Sequence, residues 1–373
     1  MYKEDSMNIE KEKKLATILI NHSLMVKKGD RVLLQYQSEK CNNLIKECIR
    51  EIINNGGIPY IDYTPQSVYD FLRQNYNESI IVNEHDEFRN KVENYDCFLR
   101  LYYNENDYYD KYINPEYKKK LMELNKPFKE IMINEKRWVL LNYPSLLDSN
   151  KASMLEDEFY NYSMDAMTVD YKKMNKSMKV LKDLMEKTDK VHIISPNTDI
   201  TFSIKDMPAI ICSGEKNIPD GECYSAPIKD SVNGTITYNT KSPYAGFVFE
   251  NISLTFKDGK IVDFSSNNNK KMKEIFDTDE GAKYIGEFSL GVNPMILEPM
   301  GDILFDEKIA GSLHFTPGCS YDDCNNGNKS NVHWDLVLIQ RKEYGGGEIY
   351  FDDKLIRKDG VFVIDELKPL NFK

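Results

Sequence analysis

Five side chains in the second half of the chain carry donor atoms suited to metal binding: Glu222 in NIPDGECYSAP, Glu287 in YIGEFSLG, His314 in GSLHFTPG, and His333 with Asp335 in VHWDLVLI. Carboxylate oxygens and imidazole nitrogens are the ligand mix that Zn²⁺, Co²⁺, Mn²⁺ and Fe²⁺ prefer. The chain has only 5 histidines, and two of them stand here. In an extended strand, residues two apart point to the same face, so His333 and Asp335 would present a nitrogen and an oxygen side by side while Trp334 points away.

Taken singly, each residue also has a structural reading. Glu222 alone reads as a solvated acid on a turn. Glu287 lies in a strand-like apolar setting, where an unpaired carboxylate is costly, and His314, between Leu313 and Phe315, reads as a satisfied core imidazole. Short His-x-Asp matches are common. Cys223 and Cys319 adjoin the same motifs and read as small core residues rather than thiolate ligands. Spacing alone leaves both readings open.

The elements that must position these residues divide the chain in two. The first half alternates helix-like and strand-like segments: a helix over 8–26, the strand RVLLQY, a helix from Cys41 to Asn54 stopped by Gly56-Gly57, the strand IPYIDYT, a helix near Ser67–Asn77 and the strand DCFLRLYY. A helix over 114–133, the strand RWVLLNYP and a helix starting near Thr168 follow, with the Lys runs read as a solvated helix face. Strands joined through helices predict a parallel sheet. From Lys190 the texture changes to short strands with Asp-Gly turns at Asp258-Gly259 and Asp359-Gly360. The expected fold is α/β and α+β in two lobes: an α/β amino-terminal domain over 1–187 and a β-rich, metal-binding carboxy-terminal domain over 188–373.

Composition bounds the partners. A length of 373 residues with 41% hydrophobic and 29% charged residues describes a globular chain with room for two cores. The net charge of −11, with scattered basic residues, argues against nucleic acid and against anionic membrane surfaces. No apolar run suggests a membrane span and the charged start lacks a secretory signal, so the expected location is the cytoplasm. Seven cysteines without a Cys-x-x-Cys pair suit reduced thiols.

The ordered set NIPDGECYSAPIKDSVNGTI, GEFSLG, GSLHFTPGCSY and VHWD resembles the M29 metallopeptidases, the aminopeptidase T and aminopeptidase S group. The hairpin ENISLTFKDGKIVDF extends the resemblance between the two glutamates, and LATILINHSLMVKKGDRVLL and RWVLLNYPS carry it weakly into the first half. The resemblance implies that Glu222, Glu287, His314, His333 and Asp335 hold two divalent ions (Zn, Co, Mn or Mg), with Glu287 and Tyr321 as catalytic residues. Five ligands for two ions require a bridging carboxylate, and Glu287 and Asp335 both suit that place. The activity implied is hydrolysis of the amino-terminal residue of short peptides through a water activated by two metals, by a homodimer. The stretch between His314 and His333 is shorter than the family's. Two alternatives remain: His314, His333 and Asp335 alone make the 2-His-1-carboxylate set of Fe(II) oxygenases, as in the related dihydroxypyridine dioxygenases, and a non-catalytic metal-binding relative would keep the fold without turnover.

Overall fold

The computed structural model describes residues 2–105 and 115–372. The described chain forms two compact units: Met1–Thr168 with Gly214–Pro219, and Val169–Ser213 with Asp220–Lys373.

The first unit is built on a parallel sheet. Strands β1 (Arg31–Tyr36), β2 (Ile58–Tyr63), β3 (Cys97–Tyr102) and β4 (Arg137–Asn142) lie in the order β2-β1-β3-β4, and a two-residue strand, Asn217–Ile218, pairs in parallel on the far edge. The apolar runs of β1, β3 and β4 supply the buried Val32, Leu34, Leu99, Leu101, Val139 and Leu141. β2, at the sheet edge, buries none of its six residues fully. This is the α/β arrangement that alternating helices and strands predict.

Local boundaries differ from the sequence reading for identifiable reasons. The first helix runs from Tyr2 to Ile18 and continues as a wider turn over Leu19–Ser23. Past Gln74 a second helix, Glu78–Asn94, replaces the expected connection, because the Asn77 side chain accepts from the Ile80 backbone N–H and starts a new helix. The helix expected near Thr168 begins at Tyr171, where Asp170 accepts from Lys173 N–H. The helix expected from Asn114 is seen from Pro115, Asn114 lying outside the described residues. Lys118, Lys119 and Lys120 on that helix are exposed.

The second unit is β-rich. Eight strands form one sheet, in the order 260–265, 253–257, 233–237, 198–203, 190–195, 348–351, 354–358 and 361–362. Five shorter strands form a second sheet, in the order 337–339, 312–317, 285–291, 222–225 and 210–212. Phe202 of the larger sheet meets Phe288 and Phe315 of the smaller at ring-centroid distances of 5.0 Å each, and Phe256 meets Phe315 at 6.0 Å. The core of this unit therefore sits between the sheets, where each fully buried phenylalanine contributes about 1.5–3 kcal/mol. Among the described residues no helix is long and apolar enough to cross a membrane.

Candidate metal centre

The smaller sheet sorts polar from apolar by strand alternation. Gly291 is opposite Glu222, Ser289 is opposite both Tyr224 and His314, and Glu287 is opposite Thr316. All of these point to one face, while Phe288, Leu290, Cys223, Leu313 and Phe315 take the other and fill the core. The two-residue period of GEFSLG and SLHFTP thus builds a polar floor on an apolar base. Packing of the Phe288 and Phe315 rings on Phe202 fixes which face each strand presents, since a one-residue slip would bury Glu287 in the core.

His333 and Asp335 arrive from a different kind of segment. The expected strand begins only at Val337; His333 makes a single bridge to Gly318, and Trp334 N–H donates to the Pro317 carbonyl. The backbone is nevertheless extended enough to give the predicted side-chain arrangement. Trp334 turns into the core, stacks on Tyr244 at 4.9 Å and donates through Nε1 to Ser242, while His333 Nε2 lies 3.3 Å from Asp335 Oδ1. The ladder is interrupted because the chain between Gly318 and Val332 folds as a loop held by asparagines. Asn326 donates to the Pro227 and Ile285 carbonyls, and Asn328 to those of Gly281 and Gly318.

The five residues converge. His314 Nε2 is 3.0 Å from Glu287 Oε1 and 3.5 Å from Glu222 Oε2, and His333 Nε2 is 3.4 Å from Glu287 Oε2. Candidate ligand atoms of Glu222, Glu287 and His314 lie within 4.8 Å of one another, as do those of Glu287, His333 and Asp335. Two further groupings share these residues: Glu307 with His314 and Asp335, and Cys212 with Asp220 and Glu222.

Whether this donor set fits a metal is answered by where its hydrogen bonds go. His333 Nδ1 donates to the Cys319 carbonyl at 3.0 Å and His314 Nδ1 to the Glu307 carbonyl at 3.3 Å, so both rings turn Nε2 towards the carboxylates. A backbone acceptor on one ring nitrogen, with the other free to ligate, is the usual setting of a metal-binding histidine. Glu287 Oε2 and His333 Nε2 are buried and face each other at 3.4 Å without a well-formed hydrogen bond to any group. Such orphaned atoms are costly unless something else satisfies them. Asp335 is oriented by the Thr316 hydroxyl, which donates to it at 2.7 Å, and Glu222 by the Ser289 hydroxyl at 3.0 Å. The residues present fit a divalent cation.

Electrostatics point the same way. Burial opposes charge on the His333 ring, but Asp335, Cys319 and Glu287 outweigh it and raise its pKa well above the usual imidazole range. Burial is likewise outweighed at Asp335, which His333, His314 and Thr316 hold low, and at Glu287, which the two imidazoles hold low. A field that binds a proton this firmly favours any cation placed there.

Tyr321 stands at the mouth of the cluster, at the start of the short turn Asp322–Cys324. Its ring lies 4.8 Å from that of His333 and 5.6 Å from that of Tyr224, and the residue is 46% exposed. Desolvation at its hydroxyl, with Glu287, Asp335 and Glu222 nearby, pushes its pKa up, so the phenol keeps its proton. Cys223 is fully buried on the core face; burial pushes its thiol above the ordinary range, and Leu290 is its cross-strand partner.

Glu307 and Lys308 are the site residues that the sequence reading missed. In FDEKIAG they look like a solvated charge pair. The signal available was the apolar company on both sides, Leu304-Phe305 and Ile309-Ala310, which marks a segment drawn into the core.

Aminopeptidase 2 of Geobacillus stearothermophilus is 34% identical over 163 residues, covering 39% of this chain and 37% of that protein. The chain's match thus spans little more than a third of that relative's length. Among solved structures, wild-type AmpT from Thermus thermophilus superposes with a TM-score of 0.79 at 18% identity, covering 95% of this chain and 99% of that one. The 2,5-dihydroxypyridine dioxygenase from Pseudomonas putida KT2440 gives 0.61 at 13% identity, covering 96% and 99%. At these identities the likeness is one of fold. The family model described as thermophilic metalloprotease (M29) matches residues 8–360, and the chain therefore belongs to the M29 metalloprotease family.

Proposed function

We propose that the chain is a metal-dependent aminopeptidase that hydrolyses the amino-terminal residue of short peptides at a centre of two divalent ions. The observation that carries this reading is the convergence of Glu222, Glu287, His314, His333 and Asp335 on one cluster with orphaned inward-facing atoms, in a chain of the M29 family. When bound, ions in such a set supply Lewis acidity towards a carbonyl and activation of a water. Glu287 is the carboxylate suited to bridging, since Oε1 faces His314 and Oε2 faces His333. Glu222 and His314 flank one side of it, His333 and Asp335 the other, and Glu307 adds a carboxylate near His314 and Asp335. Tyr321 keeps a protonated hydroxyl beside His333 and donates to the oxyanion that develops on the substrate carbonyl, a contribution of about 2.7–4 kcal/mol for a single donor. The side chain of His333 is 20% exposed, against 14% for Asp335, 10% for Glu222, 4% for Glu287 and 1% for His314, which favours substrate entry beside His333. The homodimeric state, the cytoplasmic location and the preference for short peptides rest on the family resemblance and composition.

The fold shared with a dioxygenase favours a second reading, a single Fe(II) held by His314, His333 and Asp335. Glu222, Glu287 and Glu307 count against it, because they crowd the same donors with carboxylates that a three-ligand set does not require. The test uses chelated protein restored with Zn²⁺, Co²⁺, Mn²⁺ or Fe²⁺ and leucyl peptides with free or acetylated amino ends. Metal-restored release from the free peptide alone is expected. No release with any metal would overturn the reading: oxygen uptake with a dihydroxypyridine would then favour the oxygenase, and metal binding without either reaction a non-catalytic relative.

A further inference from the structure

Lys308 is fully buried, and it is the only lysine in the buried set of the described residues. Its Nζ is paired with Glu307 Oε1 and stands 3.7 Å from Glu222 Oε1. A buried ammonium persists only where carboxylates compensate its desolvation, and here two of the carboxylates around the metal centre do so. The other oxygen of Glu222 accepts from Ser289. The donors on this side are therefore already supplied with hydrogen bonds and with positive charge. On the opposite side, Glu287 Oε2 and His333 Nε2 are buried and make no well-formed hydrogen bond, and among the described residues no side-chain ammonium stands beside them.

Resting on the reading of this cluster as a metal centre, we infer that Lys308 is a built-in cation that makes the two ion positions unequal. The position bounded by Glu287, His333 and Asp335 binds tightly. The position bounded by Glu222, Glu287 and His314 binds weakly, because an ion there must draw Glu222 away from the Lys308 ammonium and then stand beside a like charge. The sequence places this device in the short connection before the His314 strand, so the Lys308 side chain and the His314 ring share one stretch of backbone. His314 Nδ1 is itself held by the carbonyl of Glu307, the residue next to Lys308.

The test is a calorimetric titration of the chelated full-length chain with Zn²⁺, paired with Co²⁺ absorption to count coordination events. The wild type should show two separable events, the second weaker by about 100-fold or more. Lys308→Met, which keeps the stem and removes the charge, should tighten the second event by about 10- to 100-fold and leave the first unchanged. Lys308→Arg should keep the gap. Two equally tight events in the wild type would overturn the inference and leave the metal-centre reading standing, as would an unchanged second event in a folded Lys308→Met variant. No binding of either metal to the wild type would remove the metal-centre reading and this inference together.

Discussion

Glu287 offers one carboxylate oxygen to each histidine, 3.0 Å from His314 and 3.4 Å from His333, and so belongs to both ligand groups. Its loss should therefore affect both ion positions at once. Glu287→Ala is expected to lower metal affinity by at least about 100-fold, and peptide hydrolysis with it, while circular dichroism shows a retained fold. Full activity in that variant would end the assignment. Tyr321→Phe should act differently, lowering kcat by about 10²–10³ with metal content unchanged; loss of metal would instead make the tyrosine a structural support. The five candidate residues that the fold brings together were legible as a set because donor atoms occurred in short punctuated motifs that a known family arranges in the same order. Glu307 and Lys308 were less so, because an Asp-Glu-Lys triplet reads as solvated and only its apolar flanks, Phe305, Ile309 and Ala310, mark the segment that packing draws inside.

At the scale of elements, the smaller sheet turns a two-residue alternation into a division between chemistry and core. GEFSLG made that division legible, since glutamate and serine alternate with phenylalanine and leucine. The segment carrying His333 was less so. Its geometry comes from a bridge to Gly318 and from loop asparagines, which are contacts between distant residues rather than a local period. Gly318 has φ +116°, and a Cβ there would stand 2.0 Å from the Val332 carbonyl oxygen. Gly318→Ala should therefore cost at least about 2 kcal/mol in urea unfolding and weaken metal binding by displacing His333. Wild-type stability and affinity in that variant would show that the loop does not position the histidine. Helix Glu78–Asn94 escaped the sequence reading for a local reason, since Asn75 closes one helix and Asn77 caps the next without a glycine or proline to mark the break.

Over the whole molecule, the change of texture near Lys190 marks where the short strands begin, but the second compact unit already starts at Val169, with the helix Tyr171–Met185, and the two-residue strand Asn217–Ile218 that joins the first unit's sheet is too short to carry a pattern. The first unit also holds a titrating group far in sequence from the metal centre. Burial raises the pKa of Glu12, outweighing the Tyr143 hydroxyl that donates to it. The folded state then binds the proton more tightly than the unfolded chain, whose glutamates titrate near about 4.3. The stability this provides is fully present below that value and is lost as pH rises through the raised pKa. Glu12→Gln should flatten the dependence of unfolding free energy on pH above about 4; an unchanged slope would place the titration elsewhere. The claim on which all else depends is that these carboxylates and imidazoles form one metal centre, and the most direct measurement is anomalous diffraction from crystals of the zinc-restored protein. The account predicts an anomalous peak within about 2.0–2.2 Å of His333 Nε2 and of oxygens from Glu287 and Asp335, with a second, weaker peak beside Glu222 and His314. Peaks confined to other parts of the chain, or none at all, would contradict it.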